Sequence, residues 1–213
     1  MGMSIREALD QFELDNRARR LSPRTLEYHR FALTPFVAWC ESHDARTVGG
    51  ITPALIRAYL VSLQDRQLAD NTIHGSARAI KRFLNFCVQE ELIALSPMRK
   101  VRMPTIAKRI LPAFTEAEVE RLLAASWSKR DEAVILVLLD TGLRASEFVA
   151  LDGSDVDLAR GTVHVRQGKG GKDRTVYLGQ QSREALGRYL EHRTIRPSGA
   201  LWRNRRGEGR LTT

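Results

Sequence analysis

Two cation-bearing motifs, with Arg144 and Lys169 twenty-five positions apart, carry most of the chemistry legible in this chain. They are Thr141-Gly142-Leu143-Arg144-Ala145-Ser146-Glu147 and Gly168-Lys169-Gly170-Gly171-Lys172-Asp173-Arg174. An apolar run, Ala133 to Leu139, stops at a glycine, and Arg144 opens the next amphipathic segment. The second motif is a glycine-rich turn between two short alternating runs. Such an arrangement can aim one guanidinium and one ammonium at a single phosphate. A planar guanidinium matches two phosphate oxygens at once, and a lysine on a flexible turn can deliver a proton. Each motif alone also has a bland reading, Arg144 as a surface helix-start arginine paired with Glu147, and the loop as a solvated hairpin tip. A nucleotide cradle fails, because a P-loop needs Gly-Lys-Ser/Thr opening a helix and this loop meets Asp173 and then a strand.

The elements that must position these motifs can be read from caps and periodicity. Ser4 starts a helix with Ile5, Ala8, Leu9 and Phe12 on one face. Ser22-Pro23 and Thr52-Pro53 are helix starts, a hydroxyl N-cap followed by proline in the first turn. Leu26, Phe31, Leu33, Phe36, Val37 and Trp39 follow the first start at near-helical spacing, and Pro35 should kink that run or split it. Leu55, Ile56, Tyr59, Leu60 and Leu63 follow the second. Asp70-Asn71-Thr72 is expected to cap a fourth helix through Ile73, Ala77, Ile80, Phe83, Leu84, Phe86 and Val88.

Residues 97–112 differ in character, with three prolines, Arg99, Lys100, Arg102, Lys108 and Arg109, and no acid. They read as a linker, either a solvated hinge or a strap along a phosphate backbone. Beyond it, Thr115-Glu116-Ala117-Glu118 resembles a capped helix start, with Val119, Leu122 and Leu123 as its buried face. The Asp131–Leu139 helix is expected to cross the domain interior. Val156–Leu158, Thr162–Val165 and Thr175–Leu178 alternate like strands, Gln180 to Arg193 returns to helical spacing, and Asn204 to Arg210 reads as mobile.

Net charge is +9 and pI near 10.1. Residues 1–112 hold 17 Lys/Arg against 11 Asp/Glu, and residues 113–213 hold 17 against 14, so the basicity belongs to both halves. This favours a polyanionic partner. No stretch is long and apolar enough for a bilayer span, and no signal peptide opens the chain. Cys40 and Cys87 fit helical patterns as apolar thiols of a reducing, cytoplasmic compartment. His29, His43, His74, His164 and His192 show no metal-ligand spacing.

Motifs, order and spacing together resemble the tyrosine recombinases, the phage-integrase and Xer family, over nearly the whole chain. The resemblance rests on the helical first hundred residues, the Pro/basic linker, the Leu-Pro…Phe-Thr-Glu-Ala-Glu entry, Thr-Gly-Leu-Arg-x-Ser-Glu, Gly-Lys-Gly-x-Lys-x-Arg and Tyr-Leu-Gly. It implies a mainly α protein with a small antiparallel sheet. A four-helix, SAM-like core-binding domain (1–96) and a linker (97–112) would precede the N-terminal part of an α+β catalytic domain (113–213). The implied activity is breaking and rejoining duplex DNA through a 3′-phosphotyrosine, with no metal or nucleotide cofactor. By resemblance Arg144 is the first catalytic arginine and Lys169 the proton donor to the leaving 5′-oxygen, with Lys172 as the competing donor. Glu147 would support Arg144. Lys172 and Arg174 would contact phosphate, and Arg24, Arg30, Arg78, Lys81, Arg82, Arg99, Lys100 and Arg102 would face DNA.

The family pattern continues, downstream of these two motifs, with a His-x-x-Arg box, then a further His or Trp and a nucleophilic tyrosine, an ordered set that does not follow them here. Tyr28, Tyr59, Tyr177 and Tyr189 all read as packing positions. The expectation is therefore a truncated recombinase that binds DNA without cleaving it, a monomer off DNA. The rival readings are a non-enzymatic DNA-binding regulator of recombination sites and a helical protein-interaction module.

Overall fold

The computed structural model describes residues 2–107, 112–166, 172–191, 199–204, 206 and 209–213. The chain divides into two compact units, residues 1–110 and 111–213.

Four helices build the first unit: α1 (Ile5–Ala18), α2 (Pro23–Ser42), α3 (Pro53–Asp65) and α4 (Asp70–Gln89). Three start at the hydroxyl caps that the sequence advertises. Ser4 accepts from the Glu7 amide while the Glu7 carboxylate accepts from the Ser4 amide, and Ser22 and Thr52 cap Thr25 and Leu55. The fourth departs from expectation, because Ala69 takes the cap position with no side-chain bond and Asp70 lies inside the first turn. There its charge still complements the helix dipole. Pro35 does not split α2. It sits on the exposed face, where water can take the Phe31 carbonyl that loses its donor. Phe31, expected in the core, shares that outer side and is 74% exposed.

Phe12, Leu33, Phe36, Ile56, Ile80, Phe83 and Leu84 form the centre of the core. Phe12 meets the rings of Phe83 and Phe86 at centroid distances of 5.7 and 5.3 Å. The basic Pro-containing stretch is not wholly free chain. A 3-10 turn, Pro97–Lys100, and the following residue bury Met98 and Val101 in this core.

The second unit holds α5 (Glu116–Ala124), α6 (Lys129–Thr141), α7 (Ala145–Ala150), strands β1 (Val156–Asp157), β2 (Thr162–Val165) and β3 (Arg174–Tyr177), and α8 (Gln180–Leu190). The strands form an antiparallel sheet in the order β1-β2-β3, with Val163 opposite Val176 and Val165 opposite Arg174. Val163 and Val165 are buried and Val176 packs on the same core, so alternation puts Arg174 on the inward face of β3. At the β1–β2 turn Gly161 takes φ +67, and the Arg183 guanidinium braces it by donating to the Leu158 and Ala159 carbonyls at 2.9 and 2.8 Å.

Two further expectations fail here. No residue of α5 is buried, and Leu122 is exposed, because the main contact of this nine-residue helix is with α6. Only Ala133 and Val137 of α6 are buried, since α8 and β3 cover one side of it. The segment from 199 onward is anchored among its described residues. Trp202 is fully buried between Phe148 and Tyr189, with ring centroids at 4.5 and 5.5 Å. Arg210 donates to the Val149 and Leu151 carbonyls at the end of α7. Trp127, in contrast, is 95% exposed.

Phe12→Ala should cost about 3–5 kcal/mol, through lost burial plus an unfilled cavity. Urea unfolding followed by far-UV circular dichroism checks this, and a cost under about 1 kcal/mol would mean that the first core does not centre on this ring.

Candidate active site and nucleic-acid interface

The arginine of the Thr-Gly-Leu-Arg motif owes its position to a helix stop. α6 ends at Gly142, whose φ of +56 is left-handed and whose amide donates to Leu138 at 3.0 Å. Glycine adopts this conformation without the strain a Cβ would bring. Leu143 then buries itself, and Arg144 becomes the N-cap of α7 with its side chain half-exposed. Glu147 stands in the third position of α7, and its side chain is only 7% exposed. That buried anion needs partners. Its Oε2 accepts from the Arg144 backbone amide at 2.9 Å, and its Oε1 accepts from Arg144 Nη1 at 2.8 Å. From β3, twenty-seven positions on, Arg174 donates Nη1 to Oε1 at 3.0 Å and Nη2 to Oε2 at 2.7 Å.

These bonds hold the Glu147 carboxyl at about 2, well below its ordinary 4.5. The Arg174 hydrogen bonds contribute most, the Arg144 amide next, and burial works against both. Gly142, Arg144, Lys172, Asp173 and Arg174 line an open recess of about 700 Å³. Arg144, Lys172 and Arg174 thus share one concavity. Lys169 lies outside the described residues. Of the tyrosines, Tyr28 donates to the Gly75 carbonyl at 2.6 Å, Tyr59 is buried, and Tyr189 is within 3.3 Å of the Leu201 carbonyl. Tyr177 corrects the expectation of packing, being 71% exposed on the face of β3 opposite Arg174.

In the first unit, α4 carries a single cationic stripe. Arg78, Lys81, Arg82 and Asn85 recur at i, i+3, i+4 and i+7, which places them on one helix face. With Tyr28, His29, His74 and Met103 they line a recess of about 500 Å³ that contains no acid. Among the described residues, Arg78, Lys81 and Arg82 form no ion pair. The cations expected on α2 behave otherwise. Arg24 pairs with Glu27 at 2.9 Å, Arg30 makes a two-pronged pair with Glu13 at 3.2 and 2.9 Å, and neither lines the recess.

The basic stretch is pinned beside α3 and α4. Arg57 Nη2 donates to the Lys100 carbonyl at 2.7 Å, and His74 Nδ1 lies 2.8 Å from the Pro104 carbonyl oxygen, a donor's position. Lys100 and Arg102 line a neighbouring recess with Arg57, while Arg99 is exposed. Lys108 and Arg109 lie outside the described residues. Sequence reading missed Arg57, His74, His29 and Asn85 as parts of these surfaces. His74 and Asn85 were within reach, since they extend the same stripe by four residues before Arg78 and three after Arg82. His29 is kept below its ordinary range by burial, then by Arg82. Burial pushes the Cys40 and Cys87 thiols up to about 12, leaving them unreactive. Among the described residues no group of His, Cys, Asp or Glu could hold a metal ion, and no helix is long and apolar enough to cross a membrane.

A SAM-like helical unit followed by an α+β unit with an arginine-capped helix beside a three-stranded sheet defines a class, and sequence comparison agrees. Residues 112–211 match the phage integrase family model, and residues 8–94 match the phage integrase N-terminal SAM-like domain. The chain belongs to the tyrosine recombinase family of phage integrases and Xer proteins. Tyrosine recombinase XerD of Shewanella oneidensis is 31% identical over 178 residues, covering 81% of this chain and 59% of that protein. XerD of Pseudomonas aeruginosa is 33% identical over 198 residues, covering 88% and 66%. This chain therefore spans about three fifths to two thirds of the length of such curated relatives. Among solved structures, a lambda integrase dimer bound to a COC′ core site gives a TM-score of 0.76 at 16% identity, covering 99% of this chain and 60% of that one. The Tn1549 transposon integrase in complex with a circular intermediate DNA gives 0.72 at 15%, covering 99% and 74%. At those identities the likeness is one of fold.

A carboxyl held at about 2 when folded and near 4.5 when unfolded stabilises the fold at neutral pH. That contribution is present above the unfolded value and is lost as pH falls through the folded one. The urea midpoint of the second unit should fall between about pH 5 and pH 2, and Glu147→Gln should flatten part of that fall. Equal acid sensitivity in both proteins would contradict the ion-pair network.

Proposed function

We propose that this chain binds duplex DNA and supplies the phosphate-clamping part of site-specific strand exchange, the breaking and rejoining of DNA through a 3′-phosphotyrosine. The observation that carries this reading is the recess where Arg144, steadied by a buried carboxylate, opens beside Lys172. Strand exchange places extra negative charge on the nonbridging phosphate oxygens, and a pre-oriented guanidinium stabilises that charge without reorganising. Arg144 takes this role. Lys169 donates the proton that the leaving 5′-oxygen needs, with Lys172, on the rim of the recess, as its rival. Residues 1–96 act as the core-binding domain, 97–112 as a basic strap and 113–213 as the catalytic part.

On the first unit the α4 stripe of Arg78, Lys81 and Arg82 is the principal phosphate-binding surface. Cations held together with no acid nearby repel one another until a polyanion arrives. Lys100, Arg102 and Arg99 extend it. Arg24 and Arg30 contribute less, because Glu27 and Glu13 already neutralise them. Lambda integrase, similar in fold, forms a dimer on a core site and a tetramer on a Holliday junction. By analogy this chain meets further copies on DNA, and off DNA we expect a monomer.

A second reading, a DNA-binding regulator that occupies recombination sites without cutting them, is favoured by the placement of the tyrosines. Three are engaged in packing or hydrogen bonds, and Tyr177 faces away from Arg174. A phosphotyrosine intermediate needs a phenol aimed at the clamped phosphate. We accordingly expect these residues to bind and clamp, but not to cleave.

Duplex binding by the chain should weaken linearly in a plot of log affinity against log salt. Arg78→Ala, Lys81→Ala and Arg82→Ala should each reduce the slope by about 1, while Arg24→Ala and Arg30→Ala change it less. Fluorescence anisotropy at several salt concentrations measures this, and absent or salt-independent binding would overturn the reading.

A further inference from the structure

Arg174 ends a cationic motif, and its sequence position suggests another phosphate contact. Its geometry says otherwise. Arg174 stands on the inward face of β3 and, although it lines the recess, each of its terminal nitrogens donates a hydrogen bond to Glu147 in a two-pronged pair. The Glu147 carboxylate receives four hydrogen bonds, two on each oxygen, half from Arg174 and half from Arg144. A carboxylate has about four acceptor sites, so this one is saturated. The trio carries a net charge of +1. Arg144 spends one terminal nitrogen on Glu147, and among the described residues its Nε and Nη2 have no partner.

We propose that Arg174 is a positioning residue: by occupying half of the buried Glu147 carboxylate, it keeps that anion from claiming the whole Arg144 guanidinium. Two functions follow from one contact. Arg174 fixes the side on which Arg144 presents its unused donors. It also ties α7, which begins at Arg144, to the strand that follows the lysine-bearing β2–β3 connection. Without Arg174, a carboxylate with two vacated acceptor sites and one cation beside it draws Arg144 into a closed, fork-to-fork pair. That pair is neutral and offers little to a phosphate.

This inference rests on the phosphate-clamping role of Arg144, and it makes a prediction that a direct phosphate contact does not. Arg174→Gln should weaken duplex binding about tenfold, and Arg174→Lys should also weaken it, since an ammonium cannot replace the fork. Adding Glu147→Gln to Arg174→Gln should then recover part of the lost affinity, because the competing anion is gone. If Arg174 touched phosphate itself, Arg174→Lys would bind nearly as well as the unaltered chain, and the second substitution would raise affinity no more than Glu147→Gln does by itself.

The experiment uses the 213-residue chain with a 20-base-pair duplex as probe, and far-UV circular dichroism to establish that each variant folds. If Arg174→Gln does not fold, Arg174→Lys with and without Glu147→Gln carries the same comparison. A second readout needs no DNA: a carbon-13 titration of the Glu147 carboxyl should show its midpoint climbing toward the ordinary range in Arg174→Gln. Recovery in the double variant together with that climb supports the inference. Unchanged binding by Arg174→Lys, or an unmoved Glu147 midpoint, overturns it while leaving the DNA-binding reading intact. No duplex binding by the unaltered chain overturns that reading and this inference with it.

Discussion

The second unit is organised around one buried negative charge. Glu147 cannot stay in a largely water-excluded position without donors, and it draws them from Arg144, three positions before it, and from Arg174, twenty-seven positions after it. An isolated buried carboxylate is costly, so its partners are held in place as firmly as it is. The glycine stop of α6, the short α7 and the inward face of β3 all converge on satisfying it. The recess with Arg144 on its rim is a consequence of that convergence. A cation is displayed to solvent because an anion beneath it is already satisfied.

The first unit handles charge in the opposite manner. Its aromatic core needs no ionic support, and its helix α4 concentrates positive charge where no acid answers it. Neutralised arginines on α2 and unneutralised ones on α4 show that counting cations says little about where an anion would bind. What matters is which of them already have a partner. The pinning of the basic stretch by Arg57 and His74 adds backbone and further cations beside the same helix.

Much of this was legible from the residues alone, and the failures share a cause. Ser4, Ser22, Thr52 and Thr115 announced their helices because capping is decided within four residues. Gly142 and the Arg144–Glu147 pair were legible for the same reason, both contacts lying within one helical turn. The sequence order of the strands and their alternation came through, with β3 displaced by one residue. What stayed hidden depends on partners remote in sequence. The Arg30–Glu13 pair spans 17 positions, so nothing local announced that this arginine already has an anionic partner. Arg174 needed its fold neighbour Glu147 before its role could be judged. The burial of α5 and the exposure of Phe31 were misjudged because periodicity reports that a face is apolar, and only packing reports whether anything covers it. The lysine-bearing loop around Lys169 lies outside the described residues.

The stacked rings at Trp202 have a bearing on how the polypeptide matures. Everything packed on the first core has been synthesised once Met103 is made, so that unit can consolidate while later codons are still being read. The second core has no such freedom, because the slab between Phe148 and Tyr189 is filled by an indole made some fifty residues after the first of those rings. A nascent chain can therefore hold a complete set of residues for its first core while its second unit, the one that carries Arg144, still lacks the ring that completes its own.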